Sequence, residues 1–94
     1  MVVFAHTVGT TEVKIASVST SRTSVVVVCN HGTATLYVRS SKGVSIGNGL
    51  PIYSYGFISM KIPEDDPTEE IWAISDTVGT PVRVYEGYGL EPKR

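Results

Sequence analysis

The sequence predicts an all-β fold, a small single-domain antiparallel β-sandwich of jelly-roll or immunoglobulin-like type, or a barrel, spanning residues 1–94. Three observations lead to this prediction. Apolar and polar residues alternate with a period of two along most of the chain, as in half-buried strands. β-branched residues dominate the alternating runs. Turn-forming Gly, Asn, Asp and Pro separate these runs, and no segment has convincing helical periodicity.

Seven strands are expected, at residues 2–6, 11–17, 23–30, 34–39, 57–62, 70–75 and 81–86, followed by a tail at 87–94 that is extended or loosely ordered. In the second strand, Val13 and Ile15 share one face and Lys14 lies on the other. The third strand breaks the alternation, because four consecutive valines precede Cys29. Apolar residues on both faces are typical of a central strand that is covered on both sides, or of one that crosses between two packed sheets.

The later strands alternate regularly. The opposed faces are Ile58 and Met60 against Phe57 and Ser59, Ile71 and Ala73 against Trp72 and Ile74, and Val82 and Val84 against Arg83 and Tyr85. Two connections, at residues 30–33 and 75–80, are expected to be tight hairpins, and Gly32 is expected to supply a positive φ in the first. An acidic loop at 63–70 is expected to be solvated, because its spacing does not match a calcium-binding loop.

Residues 40–56 form a long connection with four glycines. Nucleotide-binding loops require G-x-G-x-x-G, or G-K followed by Ser or Thr, at the start of a helix. The glycine spacing here matches neither pattern and no helix follows, so the glycines predict turns. Asn48 and Gly49 give the strongest turn signal, and Pro51 and Ile52 are expected to anchor the segment on the sandwich.

Composition narrows the expected partners. The net charge is −1 and there is no basic cluster, so nucleic acid is not an expected partner. No apolar run approaches the length of a membrane span, and the first residues do not have the pattern of a signal peptide.

Chemistry-bearing side chains are few and scattered. Cys29 follows the valine run and is expected to be a buried hydrophobe, and an unpaired cysteine fits intracellular synthesis. His6 and His31 are expected at the surface, without partners at zinc-ligand spacing. We therefore expect no catalytic, cofactor or metal site, and a protein that is not an enzyme.

The aromatic residues are the best candidates for a contact surface. Tyrosine and tryptophan bury a large area while keeping one polar group, which favours them in interfaces. The candidate interface residues are Tyr53, Tyr55, Trp72, Tyr85 and Tyr88. We expect Tyr53 and Tyr55 to bring residues 40–56 into a subunit contact. An alternative use of Trp72, Tyr53 and Tyr55 is a stacking platform for sugars.

A valine-rich strand runs into Asn-x-Gly, a "GVS…NGLPI" segment, an "IWAIS" strand and a closing "VRVYE" strand. This order of segments resembles a class of small structural proteins in the particles of tailed phages and other viruses of bacteria and archaea. The positions that carry the resemblance, within residues 23–87, are Asn30, Gly32, Tyr37, Val38, Gly43, Val44, Gly49, Pro51, Ile52, Ala73, Ser75, Val82, Arg83, Val84 and Glu86.

The resemblance implies a non-enzymatic virion component: a capsid-decorating, minor capsid or tail- or fibre-associated β-sandwich. Its expected partners are further copies of itself, with a trimer as the first expectation, and other virion proteins. The expected location is the virion, assembled from protein made in the host cytoplasm. The alternative function is a carbohydrate-binding or host-surface adhesion module that uses the exposed aromatics.

Overall fold

The computed structural model describes residues 2–61 and 68–88, with only the backbone described at Lys61. These residues form the strands β1 (Val2–Val8), β2 (Val13–Ala16), β3 (Ser24–Cys29), β4 (Leu36–Arg39), β5 (Leu50–Ile52), β6 (Phe57–Lys61), β7 (Ile71–Ser75) and β8 (Thr80–Gly87). The described residues include no helix, and the predicted all-β class is confirmed. Each predicted strand has a counterpart, and β5 is additional.

The strands form two four-stranded antiparallel sheets. Sheet 1 has the order β1-β8-β3-β6, and sheet 2 has the order β2-β7-β4-β5. The pairs β1–β8, β2–β7, β3–β6 and β4–β5 are all antiparallel. The chain is therefore one long antiparallel hairpin, with its tip between β4 and β5, folded over so that β3 also pairs with β8 and β4 with β7. An eight-stranded double sheet of this kind is a jelly roll.

The two predicted tight hairpins are wrong. Residues 30–35 connect β3 of sheet 1 to β4 of sheet 2, and residues 76–79 connect β7 of sheet 2 to β8 of sheet 1. A tight hairpin pairs two strands of one sheet, whereas these connections cross between packed sheets, which lie about 10 Å apart. Gly32 does not have the expected positive φ. His31 shapes that crossing instead, because its Nδ1 accepts hydrogen bonds from the backbone N–H groups of Thr33 and Ala34 at 3.1 Å.

The long connection contains the missed strand. Leu50–Ile52 pairs with β4 at the edge of sheet 2, and Ile52 is buried in the core. The expected anchoring by Ile52 is thus confirmed, while residues 40–56, expected to be one long connection, are divided by β5. Pro51 has no N–H to donate, and an edge strand tolerates this. The loop before β5 is closed by Asn48, whose Oδ1 accepts from the Ser45 N–H at 2.7 Å and whose Nδ2 donates to the Gly43 carbonyl at 3.0 Å.

One apolar core lies between the sheets. Its buried members are Val8, Ile15, Ala16, Val25, Val27, Cys29, Leu36, Val38, Ile52, Ile71, Ala73, Val82 and Val84. Period-two alternation holds in β6, β7 and β8, as expected. In β2 it fails, because a register shift between Lys14 and Ala16 turns both Ile15 and Ala16 inward. A bulge inserts one residue into a strand and so changes which side chains share a face.

Some sequence predictions fall outside the described residues. These are Ile62, the acidic residues Glu64, Asp65 and Asp66, and the tail at 89–94. In the described part of the chain, no helix has the length and apolar character needed to cross a membrane.

Candidate functional site

The outer face of sheet 1 is an exposed apolar surface. The inward side chains of β3 are Val25, Val27 and Cys29, all fully buried. Since successive side chains in a strand point to opposite faces, Val26 and Val28 point outward, and both are only half-buried. Strand β3 therefore has apolar residues on both faces, but other residues cover only one of them.

Strand register arranges the outward residues in two rows across all four strands. We call this surface the open face; its first row is Val3, Tyr85, Val26 and Ser59, and its second row is Ala5, Arg83, Val28 and Phe57. Val3 is 53% exposed and Phe57 is 69% exposed. A shallow groove of about 220 Å³ lies beside Tyr85. It is also lined by Val26 and Val28 of β3, by Ser24 at the start of β3 and by Gly87 at the end of β8.

The open face carries a single charged side chain, that of Arg83, among the eight residues of its rows. Arg83 is half-buried and lies between Ala5 and Val28 in its row. A large exposed apolar patch on a small protein marks a contact surface more often than chance exposure. Depletion of charge with aromatic and arginine enrichment is also the composition of interface centres. The chemistry available here is apolar packing, with one cation.

A second feature is a polar cleft of about 270 Å³ at the β1–β2 edge of the sandwich. Glu86, on the inner face of β8, lines this cleft and is 6% exposed; Arg22 also lines it and is 1% exposed. The Arg22 Nη1 lies 3.5 Å from the Glu86 Oε2, and the Tyr88 hydroxyl donates to the Glu86 Oε1. A buried carboxylate is tolerated only when paired and hydrogen-bonded, and both conditions are met here.

Arg22 also ties separate segments together. Its guanidinium donates to the Ser17 carbonyl at 3.0 Å and to the Glu69 carbonyl at 2.7 Å. The connection after β2, the segment that leads into β7 and the end of β8 are thus joined through one side chain. We interpret this cluster as a structural one that stabilises the packing of these segments at the edge of the sandwich.

The expected surface position of His6 is wrong in one respect. β1 continues to Val8, so His6 lies within the strand on its inward face and is half-buried. Its Nε2 is buried and has no hydrogen-bond partner among the described residues. It lines the polar cleft beside Phe4 and Tyr88.

The five candidate interface residues lie on separate surfaces. Tyr85 belongs to the open face, and Tyr88 lines the polar cleft. Tyr53 and Tyr55 are 66% and 70% exposed in the connection after β5. Tyr55 has a φ of +56°, a left-handed conformation that costs a residue with a side chain roughly 1 kcal/mol.

Trp72 lies on the outer face of sheet 2, paired with Lys14 and Arg39 on its neighbouring strands. The Nζ atoms of Lys14 and Lys42 are 5.9 and 5.8 Å from the centroid of its ring. Its Nε1 donates to Glu70 at 2.9 Å. Trp72 pairs near the end of β4, whereas the start of β4 pairs with Ile52, next to Tyr53. The three proposed stacking residues therefore do not form one platform.

Cys29 is buried as expected, and its thiol lies 3.7 Å from the Ala34 carbonyl. Burial raises the pKa of this thiol above its ordinary value. The thiolate is the nucleophilic form, so this environment disfavours reaction at sulfur. Among the described residues, no group of three or more His, Cys, Asp or Glu side chains could hold a metal ion.

The sequence reasoning missed most of the open face. The alternation of apolar and polar residues placed Phe57, Arg83 and Tyr85 on the faces opposite the inward residues of their strands. It did not show that these strands, β6 and β8, belong to the same sheet. The valine run of β3 was the available signal, because it required a cover for both faces. For Glu86, continuing the alternation of Val82 and Val84 by one step would have predicted a buried carboxylate. Arg22 sits in a Ser/Thr-rich connection that gave no signal.

Comparison of the chain with protein-family models, with curated proteins and with solved structures found no match.

Proposed function

We propose that this protein is a non-enzymatic structural component of a virus particle that acts by self-association and by contacts with other virion proteins. The open face carries the proposal. It is a largely apolar sheet surface with half-buried valines at its centre and an exposed phenylalanine at its edge. A surface of this composition is suited to protein contacts.

The topology adds support at the level of fold analogy. Jelly rolls built from two four-stranded sheets are used in viral capsid and lectin domains. A shared fold does not assign a function, so this support is weaker than that of the surface itself. It is consistent with the resemblance of residues 23–87 to virion structural proteins.

A small domain also benefits from assembly. A chain of 94 residues has one modest core, and burying further apolar surface against a neighbour adds stability. The net charge of −1 produces little repulsion between copies. The small core and the low net charge both favour the association of several copies of the chain.

The alternative is a carbohydrate-binding module. Exposed Tyr53 and Tyr55 and the half-buried Trp72 favour it, and lectins share the jelly roll. Trp72, however, has two lysine ammonium groups near its ring, and a stacking sugar would have to displace them. The aromatic residues also lie toward opposite ends of β4, which makes this alternative the less favoured one.

Mass spectrometry of purified virus particles tests the proposed function. We expect peptides of this chain in particles that have passed through a density gradient, at a copy number comparable with other structural proteins. Cell lysate from the same infection is the control for expression. A chain that is abundant in lysate and missing from particles would refute a structural role, and glycan-array binding by that same chain would favour the adhesion module.

A further inference from the structure

We propose that a second copy of this chain covers the open face, in a two-fold dimer whose two sheets 1 pack face to face. The inference rests on the proposed function, since it names the surface through which copies associate. Four observations on the described residues carry it.

The first observation is the incomplete cover of β3. Its inward residues Val25 and Val27 are fully buried by sheet 2, while the outward Val26 and Val28 stay half-buried between their neighbours on β8 and β6. Strands with apolar residues on both faces normally have both faces covered. A second sheet stacked on the open face supplies the missing cover.

The second observation is the size of the surface. Four strands at about 4.8 Å spacing, each five to eight residues long at about 3.3 Å per residue, give the outer side of sheet 1 a footprint on the order of 350 Å². Two such faces in contact bury roughly 1,000 Å² in all once the relief of the side chains is included, which is near the lower limit for a specific interface. The association should therefore be specific and of moderate strength.

The third observation is self-complementarity. A two-fold axis that lies in the interface, perpendicular to the strands and midway between the two rows, places each row over the other row of the second copy. Val28 then meets Val26 of the partner subunit, and Arg83 meets Tyr85 of the partner subunit. A guanidinium over a tyrosine ring is a favourable cation–π pair. The dimer thus contains two such pairs, one for the Arg83 of each copy.

The fourth observation concerns other occupants. The open face presents side chains and not unpaired backbone groups, so it does not suit an added peptide strand, which needs a sheet edge. With Arg83 as its one charged residue, it lacks the basic footprint that nucleic acid requires. Packed sheets lie with their strands within about 30° of each other, and the largely apolar outer face of sheet 1 can pack on a second copy of itself in that way.

Sedimentation velocity and light scattering across about 1 µM to 1 mM test the proposal on the full chain. We expect a monomer–dimer equilibrium. Val28→Lys should weaken dimerisation at least tenfold, because each copy then adds a second cation beside its Arg83 at the centre of the interface. Since Val28 is half-buried, the double variant Val3→Thr/Phe57→Ser serves as a second probe at exposed positions. Circular dichroism and thermal unfolding check that each variant is folded.

Four further variants distinguish the open face from other surfaces. Val78→Lys changes an equally apolar residue that is 78% exposed away from the open face, and it should leave the equilibrium unchanged. Tyr85→Leu should weaken the dimer, whereas Tyr85→Phe, which keeps the ring, should not. Tyr53→Ala with Tyr55→Ala tests the competing contact through the connection after β5.

The outcomes distinguish this inference from the proposed function. If the wild type associates and folded open-face variants associate equally well, the open face is not the contact and this inference fails alone. Loss of association only in the Tyr53/Tyr55 variant, or a trimer that survives Val28→Lys, overturns it in the same way. A wild type that stays monomeric up to about 1 mM also overturns the inference, while its presence in particles still supports the proposed function.

Discussion

Asp76 shows at the scale of one residue how the two crossing connections are held together. Its Oδ1 accepts a hydrogen bond from the Thr35 N–H at 3.0 Å, and its own N–H donates to the Thr35 carbonyl at 3.2 Å. The Thr77 hydroxyl donates to the same Oδ1 at 2.9 Å. The hydrogen bond from the Thr35 N–H makes the largest contribution to lowering the pKa of Asp76 below its ordinary value of 3.8, and the bond from the Thr77 hydroxyl adds to it.

The lowered pKa of Asp76 predicts an acid-dependent stability. A carboxyl whose pKa is lower in the folded state stabilises the fold above its unfolded pKa, and this contribution is lost as the pH falls through the folded value. We expect Asp76→Asn to remove this part of the acid sensitivity. Urea unfolding of both proteins from pH 7 down to about pH 2.5 measures it, with the gap between the two narrowing below about pH 4. A gap that stays constant over the whole range would contradict the prediction.

Buried residues were only partly predictable at this scale. Cys29 could be placed because it extends an apolar run, and its burial followed from its neighbours. Arg22 could not, because its partners Ser17, Glu69 and Glu86 come together only once β2, β7 and β8 are packed. Long-range pairing leaves no periodic trace in a loop sequence.

At the scale of elements, the β4–β5 hairpin depends on a glycine for reasons of space. A Cβ added at Gly49 would lie 2.7 Å from the Cβ of Tyr37 and 3.0 Å from a methyl carbon of Val44. Val44 is 5% exposed and Tyr37 is fixed in β4, so neither neighbour has room to move away. The close approach, and not a positive φ, requires glycine here.

Gly49→Ala is therefore expected to destabilise the fold by about 1–3 kcal/mol, the range for overpacking a filled site. Gly47→Ala is the matched control in the same loop. Its added Cβ would meet only the Ser45 hydroxyl oxygen, at 3.9 Å, and its φ is not positive. Urea unfolding compares the two variants with the wild type. Equal stabilities of the two alanine variants would show that the contact at Gly49 is relieved at no cost.

Elements with clear alternation were predicted correctly, and the exceptions have physical causes. Strand β5 is only three residues long, too short to show a period of two, and it contains Pro51, a residue type that is depleted in strands. The two supposed hairpins had the right turn residues. Glycine, asparagine and aspartate favour any reversal, and they do not specify whether the next strand joins the same sheet or the opposite one.

At the scale of the whole molecule, Cys29 reports on the integrity of both sheets. It lies fully buried between them, and burial raises the pKa of its thiol above its ordinary value. A thiol reagent can reach it only when the sheets separate. The sequence contains no other cysteine, so labelling has a single source.

We expect labelling of Cys29 in the native protein to be slower by orders of magnitude than in denaturant, and to follow global unfolding. A destabilised variant such as Gly49→Ala should label about tenfold faster for each 1.4 kcal/mol lost. Absorbance of the released thiol leaving group measures the rate. Rapid labelling that is indifferent to Gly49→Ala would mean that a local opening exposes the core.

The all-β class and most strands followed from the sequence, whereas the assembly of the strands did not. The order β1-β8-β3-β6 pairs segments that are far apart in the chain, and no local pattern encodes which distant strand is the neighbour. The open face depends on that order, since its two rows join residues from Val3 to Tyr85. Only the valine run of β3 indicated in advance that a surface needed covering.

The folded-over hairpin also sets the order in which strands become available during synthesis. β4 and β5 can pair as soon as the ribosome has released both, and the loop that joins them is short. The loops that close β3–β6, β2–β7 and β1–β8 are successively longer and cost successively more entropy. Strand β1 is made before the other seven strands, yet its partner β8 is the last of them to be made. Until β8 arrives, the nascent chain holds β1 unpaired and β3 with one neighbour instead of two.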